Sequence, residues 1–111
     1  LSIRKKVLGD LHPDTLESLH SMGAMLTALN TTVQAEPLLR MALVKRKEIH
    51  GANHLFIADT NHELGICLIK LGKKGDAQLV LDEEVQIRSN VLGPESPMVA
   101  NARAENQRLL A

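Results

Sequence analysis

The sequence predicts an all-α fold of stacked, antiparallel helical hairpins. The first observation is a repeat of 42 residues: residues 1–42 laid over residues 43–84 give eleven identities without a gap. Residues 1–27 laid over residues 85–111 give seven more. The second observation is that loop-forming residues separate stretches of helical spacing. Self-similarity at a period of about 20–50 residues is typical of solenoids and arrays.

The predicted helices begin at capping signals. Ser96 is an N-cap residue, and Pro97 follows at the first helical position, where a missing N–H costs nothing. Thr31 and Gln34 have the spacing of a capping box at another helix start. His54 and its repeat counterpart His12 also precede helices, and we expect both to act in capping.

The predicted helices end at glycine, and their connections are short. Gly9, Gly51, Gly72 and Gly93 suit the left-handed residue that closes a helix. Pro37 lies inside a predicted helix and should kink it or remove one early hydrogen bond. Short connections make neighbouring helices antiparallel. The predicted elements are a partial helix at 1–8 and helices at 13–29, 32–50, 55–71, 74–92 and 97–110.

The repeat boundaries divide a chain whose length allows one domain, residues 1–111. The first residue is Leu1 rather than methionine, inside an amphipathic segment, so we expect a piece of a longer protein. The domain is expected to hold a partial repeat at 1–8, full repeats at about 13–50 and 55–92, and a half repeat at 97–110.

Composition argues against several classes of partner. Thirteen basic and thirteen acidic residues give a net charge of zero, so no basic face is indicated for nucleic acid or an anionic membrane. No apolar run reaches the roughly 20 residues that span a bilayer. Phe56 is the single aromatic residue among Phe, Tyr and Trp, which leaves no platform for stacking bases. We therefore expect neither nucleic acid nor membrane as a partner.

Cys67 is the only cysteine of the chain, so an internal disulfide is impossible. Its neighbours Leu64, Ile66, Leu68 and Ile69 are apolar, which predicts a buried structural thiol. A single cysteine fits a reducing compartment, and we expect an intracellular, cytoplasmic location.

A small residue and a large apolar residue recur in each helix of a hairpin. They are Gly23, Ala35, Gly65 and Ala77 at the small positions and Leu26, Leu39, Leu68 and Leu81 at the large ones. This pattern resembles the tetratricopeptide repeat, whose usual length is about 34 residues. The period of 42, together with the phrases at 3–14 and 35–43, resembles the long variety of kinesin light chains and nephrocystin-like proteins.

This resemblance implies a right-handed superhelical solenoid that binds proteins rather than an enzyme, with no cofactor. In such repeats the first helix of each hairpin lines a concave groove that receives a peptide or a partner helix. The resemblance places these residues in the groove: Glu17, His20, Ser21, Ala24, Thr27, Asp59, His62, Glu63, Ile66, Lys70, Asn101, Ala104 and Arg108.

The groove set forms a mixed strip, acidic at one edge and basic at the other, and an ordinary solvated face is the alternative interpretation. Two other functions stay open for the chain. It could be an architectural spacer or a segment that associates with its own copies, as apolar ends at 1–8 and 97–110 would favour. It could also be a regulatory repeat region of a larger signalling ATPase.

Histidines suggest two further hypotheses. His20 and His62 should stand on neighbouring first helices, within about 10 Å of each other, where nearby carboxylates would favour imidazolium and make the groove pH-sensitive. His50 and His54 have the spacing of metal ligands, but Gly51 should end the helix between them. No paired cysteines complete a site, so no metal is predicted. His50 ends a helix, where the dipole favours a cation.

The third repeat departs from the pattern. Arg103, Asn106 and Gln107 stand at positions where the preceding repeats are expected to carry apolar or small residues. The last helix is therefore either an end cap with a polar outer face or a cut face that lacks its partner helix.

Overall fold

The computed structural model describes the backbone of residues 13–28 and 32–111 and the side chains of residues 18–27 and 32–111. These residues form five α-helices, which confirms the predicted all-α class. The partial helix predicted at 1–8 lies outside the described residues. The helices are α1 (Pro13–Ala28), α2 (Thr32–His50), α3 (Leu55–Lys70), α4 (Lys74–Leu92) and α5 (Pro97–Leu110).

The helices stack as successive hairpins. Each helix packs against the next one in the chain, and α3 also touches both α1 and α5. Alternate helices therefore form two layers, with α1, α3 and α5 side by side in one and α2 and α4 in the other. The described residues measure 43 × 29 × 18 Å, the elongated form of a helical solenoid.

Two predicted helix starts are confirmed by side-chain caps. The hydroxyl of Ser96 accepts a hydrogen bond from the backbone N–H of Met98 at 3.3 Å, and proline follows the cap. His54 Nδ1 accepts from the backbone N–H of Phe56 at 3.1 Å. Both caps satisfy a donor that the first turn of a helix leaves without an internal partner. The capping predictions for His12 and Thr31 lie outside the described residues.

Glycine ends three of the helices as predicted. Gly51, Gly72 and Gly93 have φ values of 79°, 80° and 96°, a backbone conformation that strains any other residue. After Gly72 the backbone N–H of Lys73 donates to the carbonyl of Leu68 at 2.8 Å, which closes α3 with a Schellman motif. Gly9 lies outside the described residues.

Helix α2 runs without a break through Pro37. Proline lacks an N–H, so the helix forgoes one backbone hydrogen bond at that point. Pro37 is exposed and lies in the second turn of α2. The helix continues beyond it to His50, and residues on both sides of Pro37 are buried in the core.

Glycines at the small positions let the two helices of a hairpin approach closely. A Cβ atom added to Gly23 would lie 2.6 Å from Cγ of Leu39, and one added to Gly65 would lie 2.4 Å from Cδ2 of Leu81. Leu39 and Leu81 are themselves fully buried. The recurring glycine–leucine pair is thus the contact that sets the spacing between helices, α1 to α2 and α3 to α4.

Cys67 is buried in this core, as predicted. Its Sγ atom lies 3.4 Å from the carbonyl oxygen of Thr32, to which it donates, and burial raises the pKa of the thiol. The side chain therefore joins α3 to the start of α2 as a neutral thiol.

Candidate functional site

The candidate groove follows the adjacent helices α1, α3 and α5. Of the thirteen residues assigned to it, six are exposed: Ser21, Asp59, Lys70, Asn101, Ala104 and Arg108. Five more are half-buried: His20, Ala24, His62, Glu63 and Ile66. The side chain of Glu17 lies outside the described residues.

Thr27 corrects the predicted set. Its side chain is only 2% exposed, and its hydroxyl donates to the carbonyl of Gly23 at 2.9 Å within the same helix. The backbone carbonyl of Thr27 accepts instead from Nζ of Lys70 at 2.8 Å. Thr27 and Lys70 thus tie α1 to α3, and the threonine side chain offers nothing to a partner.

The two groove histidines bind neighbouring helices. Nδ1 of His20 lies 3.0 Å from the hydroxyl of Thr60, which joins α1 to α3. Nδ1 of His62 lies 3.1 Å from Oε1 of Glu84, and its Nε2 lies 3.5 Å from Oε1 of Glu105. His62 therefore stands where α3, α4 and α5 meet.

The place where α1, α2 and α3 meet, here the first junction, is filled by an arginine. Arg46 is 4% exposed, and its Nη1 donates to the carbonyl of Phe56 at 3.1 Å and to the hydroxyl of Thr60 at 3.2 Å. The guanidinium carbon also lies 5.4 Å from the centroid of the Phe56 ring, within range of a cation–π contact. One side chain thus binds α2 to the start of α3.

At the second junction, where α3, α4 and α5 meet, the corresponding arginine bonds carboxylates. Arg88 occupies the position of Arg46 one repeat later, but Nε donates to Oε2 of Glu84 at 2.9 Å. Its Nη2 donates to Oδ1 of Asp59 at 3.0 Å. Residue 84 is alanine in the preceding repeat, as Ala42, so the acid that draws Arg88 away exists only at the second junction.

Glu84 is the centre of this network. It is 2% exposed and accepts hydrogen bonds from Arg88, His62 and, at 3.0 Å, Nδ2 of Asn106. Burial acts to raise the pKa of Glu84, but the hydrogen bonds from His62, Asn106 and Arg88 outweigh it and hold the pKa below its ordinary value. The bond to Glu84 raises the pKa of His62 against the opposing effect of burial.

A cavity of about 280 Å³ lies beside this network and shares His62 and Asn101 with the candidate groove. We call it the junction cavity. It is lined by His62, Glu84, Arg88, Met98, Asn101, Ala102 and Glu105.

Of the lining residues, only His62 and Asn101 belong to the groove set expected from the sequence. The signal that could have found the others is a change between repeats, above all a charged Glu84 at a core position where Ala42 stands.

Residues 15–55 match the tetratricopeptide repeat family. The match covers most of α1, all of α2 and the first residue of α3, less than half of the chain. No curated protein matches the sequence. The tetratricopeptide repeat match and the five stacked helices together support a repeat protein. Repeats of this family generally mediate protein–protein interaction.

The region matched as a tetratricopeptide repeat includes a pair of histidines that the structure brings together. The rings of His50, at the end of α2, and His54, at the N-cap of α3, stack with centroids 4.3 Å apart. Burial and the nearby charges of His54 and Arg46 lower the pKa of His50, contrary to the cation expected at a helix end. Among the described residues, no group of three or more His, Cys, Asp or Glu side chains is arranged to hold a metal ion.

None of the helices in the described part of the chain is both long and apolar enough to cross a membrane.

The contact between His62 and Glu84 gives a pH prediction. Since the folded state raises the pKa of His62, its stabilisation is complete below the unfolded pKa and is lost as pH rises through the folded pKa. We expect the free energy of unfolding to fall by about 1 kcal/mol across that rise, the usual value of one hydrogen bond. Urea denaturation at a series of pH values measures it, with the pKa of His62 followed by NMR.

The matched control for this prediction is His62→Gln, which removes the titrating group. The variant should lose the pH-dependent fall over the same range. A fall of equal size in both proteins would assign the effect to another group.

Proposed function

We propose that this chain is a protein-interaction scaffold that binds a peptide or a partner helix in a concave groove formed by α1, α3 and α5. The partner is a protein, and the chain contributes no catalysis. The 42-residue period supports a repeat of the long kinesin light chain and nephrocystin-like type.

The observation that carries this proposal is the adjacency of the three first helices. Because α3 touches both α1 and α5, side chains at equivalent positions of the repeat lie in neighbouring rows. Ser21, Glu63 and Glu105 share one such register, and Asp59 and Asn101 share another. Rows of exposed or half-buried polar groups along adjacent helices suit an extended ligand that crosses several repeats.

The test of this function selects a random-peptide phage library on the immobilised chain and measures the enriched peptides by fluorescence anisotropy. The blocking variant combines Ser21→Arg and Ala104→Arg, two exposed positions on α1 and α5. We expect the affinity of the selected peptides to fall at least about tenfold, since two long cationic side chains would occupy the groove.

The matched control places the same side chain on the other layer, as Gln34→Arg and Leu79→Arg on α2 and α4, both exposed. Circular dichroism verifies that both variants remain helical. Equal loss in both variants, or equal binding in both, would put recognition on a different surface. The absence of any enriched peptide would contradict a peptide-binding groove and favour the spacer or a self-associating segment.

A further inference from the structure

The junction cavity lies at a place that the first junction fills with an arginine side chain. Arg46, Phe56 and Thr60 occupy the register of Arg88, Met98 and Ala102 one repeat later. In the first junction the guanidinium of Arg46 lies against Phe56 and Thr60. In the second junction Arg88 bonds Glu84 and Asp59 instead, and the space beside Met98 and Ala102 is open.

The charges around the cavity favour a cation. Glu84 and Glu105 line it, and Asp59 and Glu63 lie close by on α3. Arg88 is the one permanent cation in its wall, and it already bonds two of these acids. These four carboxylates outnumber the guanidinium of Arg88 and the imidazole of His62, so the group carries a net negative charge even when the histidine is protonated.

The remaining walls suit the stem of a long side chain. Met98 is exposed at the mouth and Ala102 is half-buried, and together they give an apolar surface. Arginine packs its methylene stem on such surfaces while its planar head binds carboxylate oxygens. Glu105 carries a half-exposed carboxylate at this mouth, 3.5 Å from Nε2 of His62.

We propose that the junction cavity binds the guanidinium of an arginine presented by a protein partner. This inference rests on the proposed function, and it specifies that the groove recognises an arginine side chain of the partner. The head group takes the place that Arg46 fills in the first junction, with Glu105 as its carboxylate partner and Met98 against its stem. The partner thus supplies the guanidinium that Arg46 of the chain itself supplies at the first junction.

The experiment titrates acetyl-arginine amide into the isotope-labelled chain and follows the backbone amide signals by NMR. Acetyl-citrulline amide, which has the same shape without the charge, is the matched probe. We expect saturable shifts at residues of the junction cavity with millimolar affinity for the arginine derivative, and at least about tenfold weaker binding of citrulline. Shifts at the first junction should be absent because Arg46 occupies it.

Two variants locate the site. Glu105→Gln should weaken binding of the arginine derivative about tenfold by removing the carboxylate partner, while the same change at exposed Glu48 should leave it unaltered. Ala102→Leu should abolish binding, since the larger apolar side chain fills the cavity without adding a hydrogen-bond acceptor.

Equal binding of arginine and citrulline derivatives would overturn the inference, as would shifts elsewhere or none at all. The result is separable from the proposed function. If selected peptides bind the groove equally well with arginine or citrulline, only this inference fails. If the arginine derivative fills the cavity but no peptide responds to the groove variants, only the proposed function fails.

Discussion

Gly65→Ala is expected to lower the free energy of unfolding by about 2 kcal/mol, although alanine is the better helix former. The added methyl group would lie 2.4 Å from Cδ2 of Leu81, a distance at which one of the two helices must move. Leu81 is fully buried and packed, so it cannot rotate away without disturbing the core between α3 and α4. Urea denaturation followed by circular dichroism measures the loss.

The same substitution at Gly75 is the control. Gly75 lies in α4 with nothing within 4 Å of an added Cβ atom and has no left-handed backbone. We therefore expect Gly75→Ala to raise the free energy of unfolding by about 0.5 kcal/mol through the entropy of the unfolded chain. Stabilisation by both substitutions would show that close approach at Gly65 is not what the hairpin requires.

The glycine contact bears on the last helix as well. Gln107 stands in the register of Gly23 and Gly65, at the position where the earlier hairpins bring their second helix closest. A helix packing on α5 in the same way would meet a long polar side chain. The open groove between α4 and α5, about 390 Å³, also carries Arg103 and Asn106 in its wall. The face of α5 that corresponds to the glycine contacts of the earlier hairpins is therefore polar.

The helices of this chain could be predicted from sequence because local signals fix them. Predicted and observed ends agree within one residue, since glycines with positive φ and capping side chains determine the backbone at each end. The repeat supports these helix ends independently, because Gly51 and Gly93, which end helices, recur at the same position of successive repeats. Burial of Cys67 followed in the same way from its apolar neighbours.

The side-chain partners could not be predicted, because they depend on three helices meeting at once. The repeat period assigns Thr27 to the groove face. In the folded chain its side chain is buried, and its hydroxyl donates to the carbonyl of Gly23 in the same helix. The same reasoning treats Arg46 and Arg88 as equivalent. They differ because residue 84 is acidic, and a buried carboxylate competes with the backbone and hydroxyl acceptors that its counterpart uses.

The second large effect is expected for Glu84→Ala, which should lower the free energy of unfolding by about 3 kcal/mol near neutral pH. The substitution leaves a mostly buried guanidinium on Arg88 with Asp59 alone and removes an acceptor from Asn106 and His62. A buried polar group without its partner costs more than the bond itself contributes. Denaturation of the variant beside Asp82→Ala, an exposed acid of the same helix, separates this effect from loss of charge, since the control should change stability by less than about 0.5 kcal/mol.

The first junction shows how that loss can be reversed. With Ala42 and Thr60 in the positions of Glu84 and Ala102, Arg46 is held by a hydroxyl and a backbone carbonyl. Adding Ala102→Thr to Glu84→Ala restores the hydroxyl acceptor at this position, so the double variant should regain about 1 kcal/mol relative to Glu84→Ala alone. Ala102→Thr in the unaltered chain should bring no such gain, because Arg88 remains with Glu84. A double variant no more stable than Glu84→Ala would mean that Arg88 cannot take up the arrangement of Arg46, and that the two junctions differ by more than these side chains.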